Sequence, residues 1–160
     1  LLDEALDSSH RILVFSQFVS MLKILRNEMD ARSLETCYLD GSTKDRLSVV
    51  HRFNSSRDIP VFLISLKAGG TGLNLTGADM VIHFDPWWNP AVENQATDRA
   101  YRIGQKRTVY SIKLITQGTV EEKVLALQEK KKAVIDATVE SPDALPSSFT
   151  WEDMEELLSL

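Results

Sequence analysis

Short apolar runs alternate with longer amphipathic stretches along this chain. Five runs are rich in β-branched and aromatic residues, and several are apolar without interruption, which is typical of strands buried on both faces. The predicted strands are Arg11–Ser16, Thr36–Leu39, Val61–Ser65, Met80–Phe84 and Val109–Ile115. Helices are predicted between them over residues 17–31, 43–54 and 90–103. This alternation predicts an α/β fold with a parallel sheet flanked by helices.

The predicted helices carry starting signals. Ser42 is expected to cap the second helix, and Asn89 precedes a proline at the first position of the third. Thr119 and Glu122 have the spacing of a capping box, and they begin a further helix that runs to about residue 139. Its apolar positions predict a helix that lies back on the sheet lobe. Residues 141–160 predict a proline-containing linker followed by a short acidic amphipathic helix.

The 160 residues suffice for one ordinary domain, and no apolar run approaches the roughly 20 residues that span a bilayer. A single cysteine, Cys37, excludes an internal disulfide and a zinc site with several cysteines. The three histidines are scattered, so no metal site is expected. Cys37 and His83 are both expected in the core.

The distribution of charge is more informative than the net charge of −5. A freestanding nucleic-acid binder is usually basic, so the bulk value argues mildly against one. Residues 61–113, however, hold six basic and four acidic side chains, and the acidity is concentrated after residue 114. A local cationic strip in the middle of the chain is therefore compatible with the composition.

A glycine-rich segment, residues 65–74, directly follows a predicted strand. Three of the seven glycines, Gly69, Gly70 and Gly72, fall within four residues of one another. Such a segment lets backbone N–H groups converge on a phosphate, and Lys67 adds positive charge. It matches neither a Walker A loop nor a dinucleotide fingerprint. The alternative is a tight turn in which the glycines serve the backbone geometry alone.

A second segment, Asp85-Pro-Trp-Trp-Asn-Pro90, places two tryptophans between two prolines after the next predicted strand. An exposed pair would stack on a sugar or base, or wedge against a partner domain. The alternative for Trp87 and for Trp88 is burial in the core.

A third segment contains Gln95, Arg99 and Arg102, at positions i, i+4 and i+7. On a continuous helix these side chains share one face. Two guanidinium groups and an amide suit an anion with many acceptor oxygens, such as a triphosphate. The alternative is a solvated charged face in which Asp98 supplies an ion-pair partner.

Taken together, these segments resemble the second RecA-like lobe of a superfamily-two ATPase of the Swi/Snf chromatin-remodeller type. Residues 65–74 resemble the family's fifth motif, and residues 98–105 resemble its sixth, with two arginine fingers and a trailing Gly-Gln. Residues 11–18 and 38–43 resemble the fourth motif and the short motif after it. Residues 120–124 resemble the start of the family's brace helix. The motifs occur in the family's order over about residues 1–140, although no reader module accompanies them.

The resemblance implies a domain organisation and an activity. Residues 1–118 would form the second RecA-like lobe, 119–140 a brace helix packed on it, and 141–160 a linker and acidic helix. The parent protein would be a DNA-dependent ATPase that translocates on double-stranded DNA and remodels protein–DNA complexes. The chain carries no Walker A sequence and no acidic Mg²⁺ box. ATP and Mg²⁺ would therefore be held mainly by an absent first lobe, and this chain alone would be inactive.

The resemblance also implies roles for particular residues. Arg99 and Arg102 would be arginine fingers, with Arg102 closest to the γ-phosphate. The residues expected to approach ATP are Gly72, Asn74 and Gln95. The residues expected at double-stranded DNA are Ser16, Gln17, Gly41, Ser65, Lys67, Gly69, Gly70 and Trp88, with Trp88 coupling DNA to ATP.

Two other functions are weighed against this one. A non-catalytic RecA-like module that binds DNA or protein would not require two arginines beside a glycine-rich loop. An RNA helicase of the same superfamily is disfavoured by the tryptophan pair and by Gly104-Gln105. The expected location is the bacterial nucleoid in the cytoplasm, or the nucleus in a eukaryote, with no membrane association and no indication of a homo-oligomer.

Overall fold

A computed structural model describes residues 1–69, 72–137, 150 and 151 of the chain. Within these residues a five-stranded parallel sheet has the order β2-β3-β1-β4-β5. The strands are β1 (Ile12–Ser16), β2 (Thr36–Leu39), β3 (Val61–Ser65), β4 (Met80–His83) and β5 (Tyr110–Lys113). All five predicted strands are confirmed, with slightly shorter ends at β1, β4 and β5.

Helices cover both faces of the sheet. They are α1 (Leu2–Asp7), α2 (Val19–Ala31), α3 (Arg46–Ser55), α4 (Leu66–Gly69), α5 (Pro90–Thr97) and α6 (Val120–Ala137). The predicted linker and acidic helix over 141–160 lie outside the described residues, apart from residues 150 and 151.

The alternation of side chains along each strand creates two apolar layers. Phe15 and Phe62 belong to the layer that also contains buried residues of α3, α4 and α5. Val14 and Leu63 point to the opposite layer, which contains buried residues of α1 and α2. Strands buried on both faces explain why the sequence runs are apolar throughout. Cys37 is 1% exposed in the first layer, which confirms its expected place in the core.

The start of α3 corrects one prediction. The N-cap is Asp45, whose carboxylate accepts a hydrogen bond from the Ser48 amide at 3.0 Å, so the prediction that Ser42 caps this helix is wrong. Asp40 explains the difference, because its carboxylate accepts from both the amide (2.8 Å) and the hydroxyl (2.6 Å) of Ser42. Ser42 is thus held in the turn that precedes the helix.

The start of α5 is as predicted, but its end is not. Asn89 caps the helix by accepting from the Ala91 amide at 3.0 Å, with proline at the first helical position. The α-helix ends at Thr97 rather than at residue 103. The chain leaves the helix where the carbonyl of Arg99 accepts a hydrogen bond from the Leu75 amide at 2.9 Å.

The start of α6 only partly follows the predicted capping box. The Thr119 hydroxyl accepts from the Glu121 amide at 3.2 Å. The carboxylate of Glu122 accepts from the amide of Gly118, at 3.0 Å, one residue before the expected partner.

Gly69 is required for packing. A Cβ atom at this position would lie 2.8 Å from Cε1 of Phe15, whose ring is fully buried and has no room to move. We expect Gly69→Ala to lower the free energy of unfolding by about 1–3 kcal/mol because the added methyl group overpacks this contact. Urea unfolding of the chain measures the change. Gly41→Ala is the matched control, since no heavy atom lies within 4 Å of its added Cβ; equal losses in both variants would contradict the packing explanation.

Candidate functional site

The carboxyl edge of the sheet gathers the residues expected to contact DNA. Ser65 ends β3 and lies opposite Ser16 at the end of β1, while Gly41 follows the neighbouring strand β2. Lys67 lies in α4, directly after β3, and Trp88 follows β4 on the other side of β1. The parallel order of the strands therefore brings these five residues to one edge.

Exposure separates these residues into two groups. Gly41 and Lys67 are exposed and Gln17 is half-buried, whereas Ser16 and Ser65 are only 1% and 3% exposed. The two serine side chains thus belong to the interior beneath the edge. Lys67 has the exposed side chain at this edge. Gly69 is buried against Phe15, and Gly70 lies outside the described residues.

Asp85 ties this edge to the tryptophan loop. Its carboxylate accepts hydrogen bonds from the Ser16 hydroxyl and from the Gln17 amide, the latter at 2.9 Å. Burial raises the pKa of Asp85, while the hydrogen bonds from Ser16 and Gln17 act in the opposite direction. No local pattern marks this role of Asp85, because its partners lie 68 and 69 positions away in the chain.

The two tryptophan rings of the loop contact each other at a tilt of 40°, with centroids 6.0 Å apart. Both residues are half-buried, and Trp87 packs against the apolar layer that contains Phe15 and Phe62. The two tryptophans are therefore neither fully buried nor fully exposed. Trp87 thus has one part against the core, and both tryptophans keep one part at the surface.

A polar cluster lies beneath the tryptophan loop. The ammonium group of Lys113 lies 2.5 Å from Oε2 of Glu93 and donates to Oε1 of Gln128 at 2.7 Å. Glu93 and Gln128 are 1% and 3% exposed. Sequence reasoning missed all three residues, because they lie on α5, β5 and α6 and form no recognisable motif.

His83 lies in the core, as expected. It is 2% exposed, stacks on Phe15 and has its Nε2 atom 3.0 Å from the hydroxyl of Thr97. Burial lowers the pKa of His83, the Glu93 charge raises it and the Lys113 charge lowers it.

A second candidate site surrounds Arg102. Its exposed side chain lines an open depression of about 890 Å³ together with the exposed Asn74. The other lining residues are Asp98, Tyr101, Ile103, Gly104, Gln105 and Arg107. Gly72 is exposed and has a φ of +57°, and Gln95 is exposed on α5, but neither lines the depression. Asn74 and Arg102 thus line the same depression, whereas Gly72 and Gln95 lie outside it.

Arg99 requires a correction. Because α5 ends at Thr97, Gln95, Arg99 and Arg102 do not share a helical face, and Arg99 is 6% exposed while the other two are exposed. Burial and the positive charge of Arg102 lower the pKa of Arg99, while the negative charge of Asp98 acts in the opposite direction. Arg99 therefore lies beneath the surface, and Arg102 is the arginine of this pair that faces solvent.

Gln105 anchors the arginine segment. Its amide nitrogen lies 3.2, 2.7 and 3.2 Å from the carbonyl oxygens of Thr76, Ala78 and Ala100, respectively. Its amide oxygen accepts from the backbone N–H of Arg107 at 3.0 Å. These bonds hold the segment against the loop that precedes β4. This role of Gln105 was not predicted, because two of its carbonyl partners lie 27 and 29 positions away in the chain.

The amino edge of the sheet is held by Asp79, which is 4% exposed. Its carboxylate accepts from the Arg11 amide and from the Arg107 guanidinium, both at 2.8 Å, and lies 3.3 Å from His10. Burial raises the pKa of Asp79, but these three partners outweigh burial and hold it below its ordinary value.

The described part of the chain contains no group of three or more histidine, cysteine or acidic residues arranged to hold a metal ion. Among the described helices, none combines the length and the apolar character needed to cross a bilayer.

Comparison with known proteins decides the family. The profile described as "Helicase conserved C-terminal domain" matches residues 1–104. The chain belongs to this helicase C-terminal domain family. The crystal structure of the C-terminal part of the Fun30 ATPase domain is 40% identical, with a TM-score of 0.74 over 78% of this chain and 41% of that chain. The RecA-like fold expected from the resemblance is therefore confirmed.

Relatives of this helicase C-terminal domain are Swi/Snf-type proteins from bacteria and eukaryotes. A putative ATP-dependent helicase/translocase, YwqA of Bacillus subtilis, is 44% identical over 92% of the chain and 16% of its own length. Protein CHROMATIN REMODELING 24 of Arabidopsis thaliana is 40% identical over 100% of the chain and 15% of its own length. The resemblance is thus confirmed, and the chain spans about one sixth of the length of these relatives.

Proposed function

We propose that this helicase C-terminal domain is the second motor lobe of a DNA-dependent ATPase that translocates on double-stranded DNA and remodels protein–DNA complexes. One observation carries the proposal. The fold places an exposed arginine beside the glycine-rich segment at one depression, and gathers a separate set of phosphate-compatible groups at the carboxyl edge of the sheet. Two separate regions, each with an exposed cation (Arg102 in one and Lys67 in the other), suit a motor that uses ATP and moves along DNA.

On the ATP side, Arg102 and Asn74 would face the triphosphate when a first RecA-like lobe closes on the depression. An exposed guanidinium can neutralise charge that develops on the transferred phosphoryl group, as an arginine finger does. Arg99, which is 6% exposed, would support it from beneath the surface. Gly72 and Gln95 would approach the nucleotide only on closure.

Mg²⁺ has no fitting site in the described part of this chain, which lacks a suitable cluster of ligands. In the proposal the metal ion belongs to the first lobe, and no step here passes through it. This chain alone is expected to show no ATP hydrolysis.

On the DNA side, Lys67 and the main chain at Gly41 would contact phosphates along one strand of the duplex. Ser16, Ser65 and Gln17 would support these contacts from beneath the edge, and Gly69 and Gly70 would contribute backbone only. Phosphate contacts fix position without reading sequence, so binding would be non-specific and sensitive to salt. Trp88 would connect this edge to the arginine segment, and an unchanged DNA stimulation in Trp88→Ala would remove it from that role.

The proposal is tested with the longer protein that contains this chain. ATP turnover is measured with double-stranded DNA, with RNA and without nucleic acid. We expect stimulation by DNA and none by RNA. Lys67→Ala should raise the DNA concentration that gives half-maximal stimulation and lower the salt slope by about one, because one phosphate contact is lost.

Arg57→Ala is the matched control for Lys67→Ala, because Arg57 is an exposed cation near the amino edge of the sheet. The DNA requirement of this control should match that of the wild type. Equal stimulation by RNA and DNA, or the same loss in both variants, would contradict the proposed function.

A further inference from the structure

The main chain of Trp87 is held on both sides by buried side chains from two different helices. Its backbone N–H donates to Oε1 of Glu93 on α5 at 2.6 Å, and its carbonyl accepts from the side-chain amide of Gln128 on α6. Glu93 and Gln128 are 1% and 3% exposed, so neither bond competes with bulk water.

Lys113 joins the two side chains. Its ammonium group lies 2.5 Å from the second oxygen of Glu93 and donates to the amide oxygen of Gln128 at 2.7 Å. Loss of the cation would leave the Glu93 carboxylate buried without its charge partner, which is costly. The four residues Trp87, Glu93, Lys113 and Gln128 thus form a closed polar ring, here called the Trp87 clamp. It connects the tryptophan loop, α5, β5 and α6.

The Trp87 clamp lies between the two proposed sites and is connected to both. At the start of the same loop, Asp85 is bonded to Ser16 and Gln17 at the carboxyl edge. At the other end, α5 leads within a few residues to Arg99 and Arg102. A displacement of the loop would therefore move the DNA-facing edge relative to the arginine segment.

We propose that Gln128, Lys113 and Glu93 are positioning residues through which α6 sets the place of the Trp87–Trp88 loop, and thereby how strongly DNA stimulates ATP turnover. The claimed effect on DNA stimulation rests on the proposed function. The claimed placement of the loop does not, and it is measured on this chain without DNA or ATP.

Two substitutions at one position separate the bonds of the clamp. Gln128→Leu removes both the acceptor for Lys113 and the donor to the Trp87 carbonyl. Gln128→Glu keeps an acceptor for Lys113 but presents no donor to Trp87 when the acid is ionised. Glu129→Ala is the control, because Glu129 is the next residue of α6 and is exposed.

The first measurement is hydrogen exchange of the peptide segment that contains Trp87. We expect exchange in the loop to accelerate by about tenfold or more in both Gln128 variants, because a fixed loop becomes able to open locally. Exchange in β1 and β3 should stay as in the wild type, which separates loop release from global unfolding. If the loop of Gln128→Glu exchanges at the wild-type rate, the clamp is contradicted, even if Gln128→Leu fails to fold.

The second measurement is ATP turnover of the longer protein with and without duplex DNA. We expect the ratio of stimulated to basal kcat to fall by about fivefold or more in both variants, a size typical of coupling between two sites. The basal kcat and the KM for ATP should stay within about twofold of wild type, as for Glu129→Ala. An unchanged ratio alongside faster loop exchange would overturn the coupling role. If the wild type shows no DNA stimulation, the proposed function fails together with this role, while the exchange result still decides the clamp.

Discussion

We expect Arg102→Ala to lower the ATP turnover of the longer protein, measured with duplex DNA, by several hundred-fold or more. The expected loss is this large because an arginine finger accelerates related phosphoryl transfer by roughly 10³–10⁵-fold. Arg102 is exposed beside Asn74 in the open depression, so the side chain can be removed without leaving a cavity in the core. Steady-state turnover at saturating ATP and DNA measures the loss.

Two further variants make this result specific. Arg102→Lys keeps the charge but loses the planar fork, and it should recover only part of the lost rate. Lys106→Ala removes an exposed cation four positions away and should leave turnover nearly unchanged. A loss below about tenfold in Arg102→Ala, with circular dichroism unchanged, would favour the non-catalytic RecA-like binding module instead.

We expect Arg11→Ala to lower the free energy of unfolding of this chain by about 2–4 kcal/mol, because several groups lose their partner at once. The guanidinium group donates to the carbonyl oxygens of Phe53, Ile59 and Gly77, with the Gly77 bond at 3.1 Å. It also lies 4.1 Å from the centroid of the Phe53 ring. These contacts join the ends of α3, the start of β3 and the loop before β4.

Urea unfolding measures the Arg11 effect. Arg11→Lys keeps the positive charge, but one ammonium group cannot replace a fork that reaches three carbonyls, so most of the loss should remain. Arg57→Ala, at an exposed arginine near the same edge, should change stability by less than about 0.5 kcal/mol. A loss below about 1 kcal/mol in Arg11→Ala would show that water satisfies the three carbonyls equally well.

Local sequence signals were enough to predict the strands of the sheet. They were not enough to predict the start of α3 or the end of α5. Strands such as Val61–Ser65 are buried on both faces, and this leaves a continuous apolar run that no other element of similar length explains. The cap of α3 depended instead on two separate bonds, in which Asp40 holds Ser42 in the preceding turn and Asp45 accepts from the Ser48 amide. The end of α5 depended on a bond from Leu75 to Arg99, which are 24 positions apart and have no shared pattern.

The candidate sites divide in the same way. The glycine-rich segment, the tryptophan pair and Arg102 were found from the sequence because unusual residues stand at fixed spacing in short segments. The burial of Arg99, Ser16 and Ser65 could not be foreseen, since spacing along the chain does not report depth in the fold. Gln105, Asp79 and the Trp87 clamp were missed because single polar residues acquire their partners only when distant elements pack together.

The sequence by itself determined the parallel α/β lobe, its order of motifs and its membership in a helicase family, because these depend on apolar periodicity and on short contiguous segments. Only the tertiary structure decided which arginine faces solvent, which serines lie beneath the carboxyl edge, and how α6 is joined to the tryptophan loop. Those properties depend on burial and on hydrogen bonds between residues far apart in the chain. Both are set by the free energy of packing the whole lobe, which no single segment encodes.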